Sequence, residues 1–292
     1  MTQVQGILLV GGLGAGLLAG LLGIGGGTVL VPLLVVLGRD YDEAVATSSF
    51  AIVITSLSGS VQNWRMGFLD YRRVLLLGLP AILTAQIGAP LLGQLPNFLK
   101  EAAFGLLLLG TIYLTTLRQR LVQRQGPGGA MLPPGRGAIA PAAQDSAEVR
   151  ADTGLGNRLG RRAGAWREAQ LPARLGTGAV AGLLAGLFGV GGGVVLVPLQ
   201  MLLLGEPIKR AIQTSLGVIV LTSISAASGH ALQGNVRWLD GLLLDLGGLV
   251  GAQISTRFLP KLPDWVVSLS FRLLLALLAI YFWLRAVQSY PA

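Results

Sequence analysis

Eight long apolar stretches constrain this chain more than any other feature. Each contains at most one Asp, Glu, Lys or Arg residue, and six contain none. Because a helix that spans a bilayer needs roughly 20 mostly apolar residues, they predict an all-α, polytopic membrane protein with about eight transmembrane helices. The stretches are residues 6–37, 44–64, 74–99, 102–117, 175–205, 211–236, 241–256 and 265–284.

The composition supports this class and excludes several functions. Only 12% of the 292 residues are charged, whereas soluble domains carry about a quarter. The chain has no cysteine and one histidine, His230, which excludes thiolate metal centres and disfavours a histidine zinc site or catalytic triad. It also lacks the Gly-x-x-x-x-Gly-Lys-Ser/Thr loop that ATP-driven pumps use to bind phosphate. We therefore expect no enzyme activity, no cofactor and no metal, with the lipid bilayer as the surrounding medium.

The net charge of +9 is concentrated in one segment. Residues 118–174 contain ten arginines and four acidic residues, together with Gly-Pro-Gly-Gly and Pro-Pro-Gly. This composition is typical of a disordered basic linker, so it indicates no nucleic-acid partner. A short interfacial helix over 158–168, with Trp166 at the membrane surface, is the alternative for part of it. Because arginine-rich loops stay in the cytoplasm, and eight crossings return the chain to its starting side, we expect the linker and both termini to be cytoplasmic.

The chain contains one sequence written twice. Gly-Ile-Gly-Gly-Gly-Thr-Val-Leu-Val-Pro at 23–32 matches Gly-Val-Gly-Gly-Gly-Val-Val-Leu-Val-Pro at 189–198, an offset of 166 residues. Thr-Ser at 47–48 and at 214–215 match at 167, as do Leu-Pro at 95–96 and 262–263. An offset held this long indicates an internal duplication. It predicts two homologous four-segment halves, residues 1–117 and 175–292, joined by the linker at 118–174.

Duplicated halves are typical of secondary transporters, which bind substrate where the halves meet. Four crossings in each half would place the halves in parallel. However, residues 6–37 would be about 48 Å long as one helix at 1.5 Å per residue, well beyond a 30 Å hydrocarbon core. A break at the glycines would let the second part fold back as a re-entrant segment. Parallel and inverted halves therefore both remain open from the sequence.

Three consecutive glycines stand inside the first apolar segment of each half. Adjacent residues cannot all face one neighbouring helix, so Gly25, Gly26, Gly27 and their equivalents Gly191, Gly192, Gly193 are predicted to unwind it. Freed N–H groups at the start of the following half-helix, beside Thr28, would form a cradle for an anion. A hinge or a tight packing contact is the alternative. The pairs Gly16-x-x-x-Gly20 and Gly182-x-x-x-Gly186 instead predict close helix packing.

Hydroxyl side chains begin the next segment of each half. They are Thr47, Ser48 and Ser49 in the first half and Thr214 and Ser215 in the second. They are candidates to donate hydrogen bonds to an oxyanion without adding a fixed charge. Capping of the helix, or hydrogen bonding back to a preceding carbonyl, is the alternative.

These motifs carry a family resemblance. The glycine block, repeated after a basic central loop and followed each time by Thr-Ser, resembles the sulfite exporter TauE/SafE family over about 6–117 and 175–285. The resemblance implies a permease of the cytoplasmic membrane for small, often sulfur-containing anions such as sulfite and organosulfonates. One departure is Asp70, whose equivalent in the second half is Arg237, so the two turns that carry them differ.

Five further polar residues lie within the apolar segments. Asp245 is a candidate proton carrier, and Arg272 either neutralises an anion or extends to the membrane surface. Gln86 and Gln253 either line a path or bond across helices, and His230 is either structural or a proton relay.

The sequence thus favours a secondary transporter for a small anionic substrate. A passive anion channel of the same fold is the alternative, and an intramembrane enzyme or an assembly factor is less favoured.

Overall fold

The computed structural model describes residues 3–92, 94–124 and 155–288, and all regular structure among them is helical. Eight of the helices are long and apolar enough to span a membrane, which confirms the predicted fold class. The α-helices are α1 (Gln3–Leu22), α2 (Gly27–Val36), α3 (Tyr41–Arg65), α4 (Tyr71–Leu92), α5 (Asn97–Arg124), α6 (Leu155–Phe188), α7 (Gly193–Leu203), α8 (Ile208–Leu232), α9 (Trp238–Phe258) and α10 (Asp264–Gln288), and a 3-10 turn at Leu259–Lys261 follows α9.

Each half begins with a helix that is broken at the glycines and turns back. Gly25 and Gly26 have φ values of 76° and 79°, a left-handed conformation that favours glycine because it has no Cβ. A Cβ on Gly26 would lie 3.1 Å from the carbonyl oxygen of Ala15, and one on Gly11 would meet the side chain of Leu33. The contacts therefore move back along α1 as α2 advances. The short helix α2 is a re-entrant segment that runs antiparallel to α1.

The second half repeats this arrangement. Gly191 and Gly192 have φ values of 70° and 74°, and a Cβ on Gly192 would lie 2.5 Å from the carbonyl oxygen of Ala181. Ala181 is the repeat equivalent of Ala15. The helices α6 and α7 thus form the same broken pair as α1 and α2.

The first helix of each half packs against the other half. Along α1, Gly12, Gly16 and Gly20 approach the backbone of Leu244, Gly248 and Ala252 in α9. Along α6, Gly178, Gly182 and Gly186 approach Leu77, Ala81 and Ala85 in α4. Any side chain larger than hydrogen would separate these backbones, so the predicted packing role of the spaced glycines is confirmed. Both contact series advance in step, which shows that α1 runs parallel to α9 and α6 parallel to α4.

Polar contacts at the helix ends show that the two halves are inverted. At the start of α9, Arg237 pairs with Glu43 at the start of α3. Just beyond the end of α9, the carbonyl of Pro260 accepts a hydrogen bond from Lys209 at the start of α8. The 21 residues of α9 separate these ends by about 30 Å. The repeat equivalents α3 and α8 therefore start on opposite faces of the protein.

The same contacts place the chain ends and the linker. Because α1 is parallel to α9, it begins on the face where α3 begins; Glu101, at the start of α5, bonds Arg285 near the end of α10 on that face. We call it the terminal face. The helix α5 crosses to the opposite face, where the membrane-spanning part of α6 begins, and we call that the linker face. The expectation that the linker and both termini share one side is therefore wrong. It failed because α2 returns the chain, which leaves three net crossings in each half.

The predicted linker at 118–174 is partly helical in this structure. The backbone of α5 continues to Arg124, and α6 begins at Leu155, so a helix covers the segment 158–168. Residues 125–154 lie outside the described part of the chain.

Candidate anion site

The two glycine breaks meet at the centre of the protein. We call residues 23–26 the first glycine loop and residues 189–192 the second. Gly25 and Gly191 both pack against Ile52 of α3 and Ile219 of α8; a Cβ on Gly25 would lie 3.2 Å from Ile52 and 3.1 Å from Ile219. Ile52 and Ile219 are themselves repeat equivalents. The predicted glycines of the two halves are thus brought together on the axis that relates them.

The re-entrant helices begin at this centre. Gly26 and Gly192 are the N-cap residues of α2 and α7, and neither cap receives a side-chain hydrogen bond. A Cβ on Gly27 would lie 2.5 Å from the carbonyl oxygen of Gly189, and one on Gly193 would meet that of Gly23. The first amides of a helix have no partner within the helix, and its dipole is positive at that end. Two helix N-termini therefore converge where the loops touch.

The predicted serines join the loops across the halves. Ser48 of α3 donates to the carbonyl oxygen of Gly189 at 2.9 Å, and Ser215 of α8 donates to that of Gly23 at 2.7 Å. Each hydroxyl also lies within 3.0 Å of a carbonyl in its own helix, that of Val45 or Ile212. A hydroxyl has one proton to donate. In this conformation both serine protons are committed to backbone carbonyls.

The other predicted hydroxyls have several environments. Thr47 accepts a hydrogen bond from the backbone N–H of Arg237 at 3.1 Å, and Ser49 donates back to Val45 at 2.9 Å. Thr214 is buried, and Thr28 is fully buried with no partner for its hydroxyl among the described residues. Sequence reasoning missed Thr222, which donates to the carbonyl oxygen of Gly191 at 3.0 Å. Its place one turn after Ile219 was the available signal.

The site is closed in this structure. The glycines at 25–27 and 191–193, the serines and the two isoleucines are all buried. A cavity of about 290 Å³ lies elsewhere, on the outer surface between α5 and α10, and is lined by Phe98, Ala102, Trp283, Ala286 and Val287. The central site is thus occluded from both faces.

The two glutamines form equivalent clasps between the halves. The amide of Gln86 donates to the carbonyl oxygen of Ser225 at 2.8 Å, and that of Gln253 donates to Ser58 at 3.1 Å. Both pairs match at an offset of 167 residues. Of the two predicted roles, bonding across helices is the one that the structure places on the page.

The remaining polar candidates do not converge on the glycine loops. The Nε2 atom of His230 lies 3.0 Å from the carbonyl oxygen of Gly186, which joins α8 to α6. Arg272 donates to Ser268 of its own helix at 3.4 Å. Asp245 is buried in α9, the helix that packs between α1 and α3.

Ion pairs close each face near the site. On the terminal face, Asp240 accepts from Arg39 at 2.8 Å and from Arg237 at 3.2 Å, and Arg237 also pairs with Glu43 at 3.3 Å. These four residues are the terminal-face cluster. It adjoins the centre directly, because the backbone of Arg237 bonds Thr47, the neighbour of Ser48.

The linker face has an equivalent cluster with every charge reversed. Arg73 pairs with Glu206 at 2.6 Å and with Asp70 at 2.8 Å, and Arg210 lies 3.8 Å from Glu206. These four residues are the linker-face cluster. At the offset of 167, Arg39 corresponds to Glu206 and Asp240 to Arg73; Glu43 corresponds to Arg210, and Arg237 to Asp70. The difference between Asp70 and Arg237 seen in the sequence is thus part of a general exchange of charge between the faces.

An inverted repeat with two broken helices that meet at its centre defines the class of secondary membrane transporters. The family model described as "Sulfite exporter TauE/SafE" matches residues 8–282. The chain therefore belongs to the sulfite exporter TauE/SafE family and is a membrane transporter.

Known relatives agree with this assignment. The chain is 28% identical over 285 residues to the probable membrane transporter protein YunE of Bacillus subtilis, covering 93% of this chain and 94% of the relative. It is 26% identical over 271 residues to the probable membrane transporter protein YjnA of the same organism, covering 89% and 94%. A shorter match, 29% identical over 104 residues, covers 35% of this chain and 24% of the sulfite exporter TauE/SafE family protein 6 of Arabidopsis thaliana. No solved structure matches the chain.

Proposed function

We propose that this transporter is a secondary permease of the cytoplasmic membrane for small anions, foremost sulfur oxyanions such as sulfite and small organosulfonates. The observation that supports it most is the meeting of two glycine loops and two helix N-termini at the centre of the inverted repeat. Helix N-termini attract anions, and unwound backbone at membrane depth is tolerated where it is buried in protein or lines a cavity. The family description and the printed name of the Arabidopsis relative support sulfite as the first anion to test.

Within this proposal the loop backbone binds the anion and the hydroxyls complete the site. The amides that follow the glycine loops would donate to the oxyanion, together with Thr28, whose hydroxyl has no partner among the described residues. Ser48 and Ser215 now hold the loop carbonyls of Gly189 and Gly23. When the loops separate to admit substrate, these two hydroxyl protons become available to it.

The two ion-pair clusters are the proposed gates. Opening toward the terminal face requires separation of Asp240 from Arg39 and Arg237, and opening toward the linker face requires separation of Arg73 from Glu206. Because the halves are inverted, each opening is the mirror of the other in mechanism. A passive channel has less support, since both clusters are closed in one structure and the centre between them is packed.

We propose that the linker face is cytoplasmic and that the terminal face is extracytoplasmic. The ten arginines of residues 118–174 lie in the segment that connects α5 to α6, and cytoplasmic segments carry the excess of Lys and Arg. The described helix ends outside that segment have the same bias. The linker face has seven basic residues, Arg65, Arg72, Arg73, Lys209, Arg210, Arg257 and Lys261, and the terminal face has four, Arg39, Lys100, Arg237 and Arg285.

A transport assay with purified protein tests the substrate class. Proteoliposomes loaded separately with sulfite, a small organosulfonate, sulfate and chloride should release the first two faster than protein-free vesicles. The matched control is the Gly192→Ala variant, in which the new Cβ would lie 2.5 Å from the carbonyl oxygen of Ala181. Release of chloride but of no sulfur anion would contradict the proposed substrate class.

A further inference from the structure

Asp245 is a buried carboxyl group that the anion site does not use. It lies two turns into α9 and is 1% exposed. Neither of its oxygens has a hydrogen-bond partner among the described residues. The backbone N–H groups of Ile54 and Thr55 face it from α3, but they lie inside that helix, where each amide donates to the carbonyl four residues earlier. The carboxyl group is therefore enclosed without a partner.

The helices around Asp245 offer no compensating charge. The helix α1 contains no ionisable side chain. In α3, Tyr41, Asp42 and Glu43 lie at the terminal-face end and Arg65 at the other end, whereas the residues opposite Asp245 are Ile54 and Thr55. Within α9, Arg257 is at the far end, and Asp240 is already paired with Arg39 and Arg237. Lys261 follows in the 3-10 turn, beyond the end of α9. A carboxylate that stayed ionised here would be buried and unpaired, which is strongly unfavourable.

The repeat shows that packing does not require this residue. At the offset of 167, the equivalent of Asp245 is Gly78 in α4, where a Cβ would meet the side chain of Leu221. Leu221 is in turn the equivalent of Ile54. The first half thus builds the same helix contact without any polar side chain. An acidic residue placed where the duplicated framework needs none, and in the membrane interior, indicates a functional group.

We propose that the carboxyl group of Asp245 is the proton-binding site that couples anion transport to the proton gradient. Resting on the proposed transport function, this assigns one proton per cycle: the carboxylate takes up H⁺ to become the neutral acid before the protein closes, and releases it when the terminal face opens. Asp240 of the terminal-face cluster is five residues earlier on the same helix, about 7.5 Å along its axis. Separation of that cluster would bring water to Asp245. With no cluster of metal-ligating side chains among the described residues, a proton fits this group better than a metal cation.

The test separates proton-driven transport from exchange. Proteoliposomes containing wild-type protein or Asp245→Asn are given either an inward proton gradient or equal anion on both sides. For Asp245→Asn we expect gradient-driven accumulation of sulfite to fall to the protein-free level, while exchange of labelled for unlabelled sulfite stays within about twofold of wild type. Asp264→Asn is the control, because it removes a carboxylate that is 62% exposed at the start of α10 and should change neither measurement. Gradient-driven accumulation by Asp245→Asn at the wild-type level would overturn the proposal.

A second measurement needs no substitution at Asp245. Dicyclohexylcarbodiimide, an apolar reagent, modifies protonated carboxyl groups buried in membranes. Treatment of wild-type protein should modify Asp245 more extensively than Asp264, less so at alkaline pH, and should abolish gradient-driven accumulation. Modification at Asp245 no greater than at Asp264 would overturn the proposal even if the Asn variant does not fold. If the wild-type protein exchanges none of the tested anions, the proposed function fails instead, and the two failures are distinct.

Discussion

The guanidinium group of Arg39 lies 2.8 Å from the carboxylate of Asp240, and this contact joins the end of the re-entrant α2 to the start of α9 in the other half. The repeat equivalents of these residues, Glu206 and Arg73, form a 2.6 Å pair with the charges exchanged, on the opposite face. Because the two pairs are equivalent in position and reversed in charge, residues of one cluster cannot pair with the matching residues of the other in the same sense. Each face therefore has its own closing contact.

Loss of one cluster should open one face. Asp240→Asn removes the anion that Arg39 and Arg237 share. The natural chain has no cysteine, so Ile52→Cys introduces the only thiol at the closed centre. We expect a membrane-impermeant maleimide applied to the terminal face to label it about tenfold faster when Asp240→Asn is also present, which corresponds to about 1.4 kcal/mol.

Glu206→Gln provides the matched control, since it should accelerate labelling from the linker face instead. Charge exchange gives an independent check: Asp240→Arg alone should block transport, whereas Arg39→Glu, Glu43→Arg, Arg237→Asp and Asp240→Arg together reproduce the linker-face charges and should restore it. Equal labelling from both faces in every background would show that the clusters are not gates.

The helix directions imply a definite topology. A reporter inserted near residue 140 and one fused after residue 288 should report opposite sides of the membrane, with the linker reporter cytoplasmic, because the chain makes three net crossings in each half. Alkaline phosphatase and green fluorescent protein fusions distinguish the sides, since the first is active outside the cytoplasm and the second inside. Two reporters on the same side would contradict the inverted arrangement.

Removing either serine hydroxyl should weaken both the loop contact and binding. Ser48→Ala leaves the carbonyl oxygen of Gly189 without this donor, and Ser215→Ala does the same to Gly23. We expect each variant to lose about 1 kcal/mol of stability and about tenfold in apparent affinity for the anion, as expected for one or two lost hydrogen bonds. Thermal unfolding in detergent and concentration-dependent uptake measure the two effects. Lower stability with unchanged affinity would restrict both hydroxyls to holding the loops.

Much of the fold follows from the sequence, because the relevant signals are local. The charge-free segments predicted the helices, and the repeated Gly-Gly-Gly predicted the break that the left-handed Gly26 and Gly192 form. The direction of the halves could not be predicted, since it depends on whether α2 crosses the membrane or returns. Residues 6–37 are one apolar run in either case.

The candidate site was predictable only in part. The glycines, Ser48 and Ser215 were found because each is written twice at a constant offset. Ile52 and Ile219 were missed, since an isoleucine in an apolar helix looks like any other until the packing brings it to a glycine loop. The gates were missed for a related reason: Arg39 is 201 residues from Asp240, and their equivalents carry opposite charges, so neither distance nor identity reveals the pair.

The glycine loops should tolerate no added side chain. Gly192 and Gly234 share left-handed backbones, with φ values of 74° and 77°, so an alanine meets similar backbone strain at each. They differ in space, because a Cβ on Gly192 would lie 2.5 Å from the carbonyl oxygen of Ala181, whereas one on Gly234 would have no atom within 4 Å. We expect Gly192→Ala to abolish anion exchange and Gly234→Ala to retain it, with both proteins recovered from the membrane. Similar activity in the two variants would remove the loops from the site.

Counterflow tests the central claim, alternating access of one central anion site, most directly. Proteoliposomes containing the wild-type protein are loaded with a high concentration of unlabelled sulfite and diluted into a trace of labelled sulfite, without a proton gradient. A transporter that exposes its site to one face at a time exchanges internal for external anion, so the labelled sulfite should rise transiently above its equilibrium level inside the vesicles and then decline. A rise that only approaches equilibrium, with no overshoot at any loading concentration, would identify a passive pore and contradict the account.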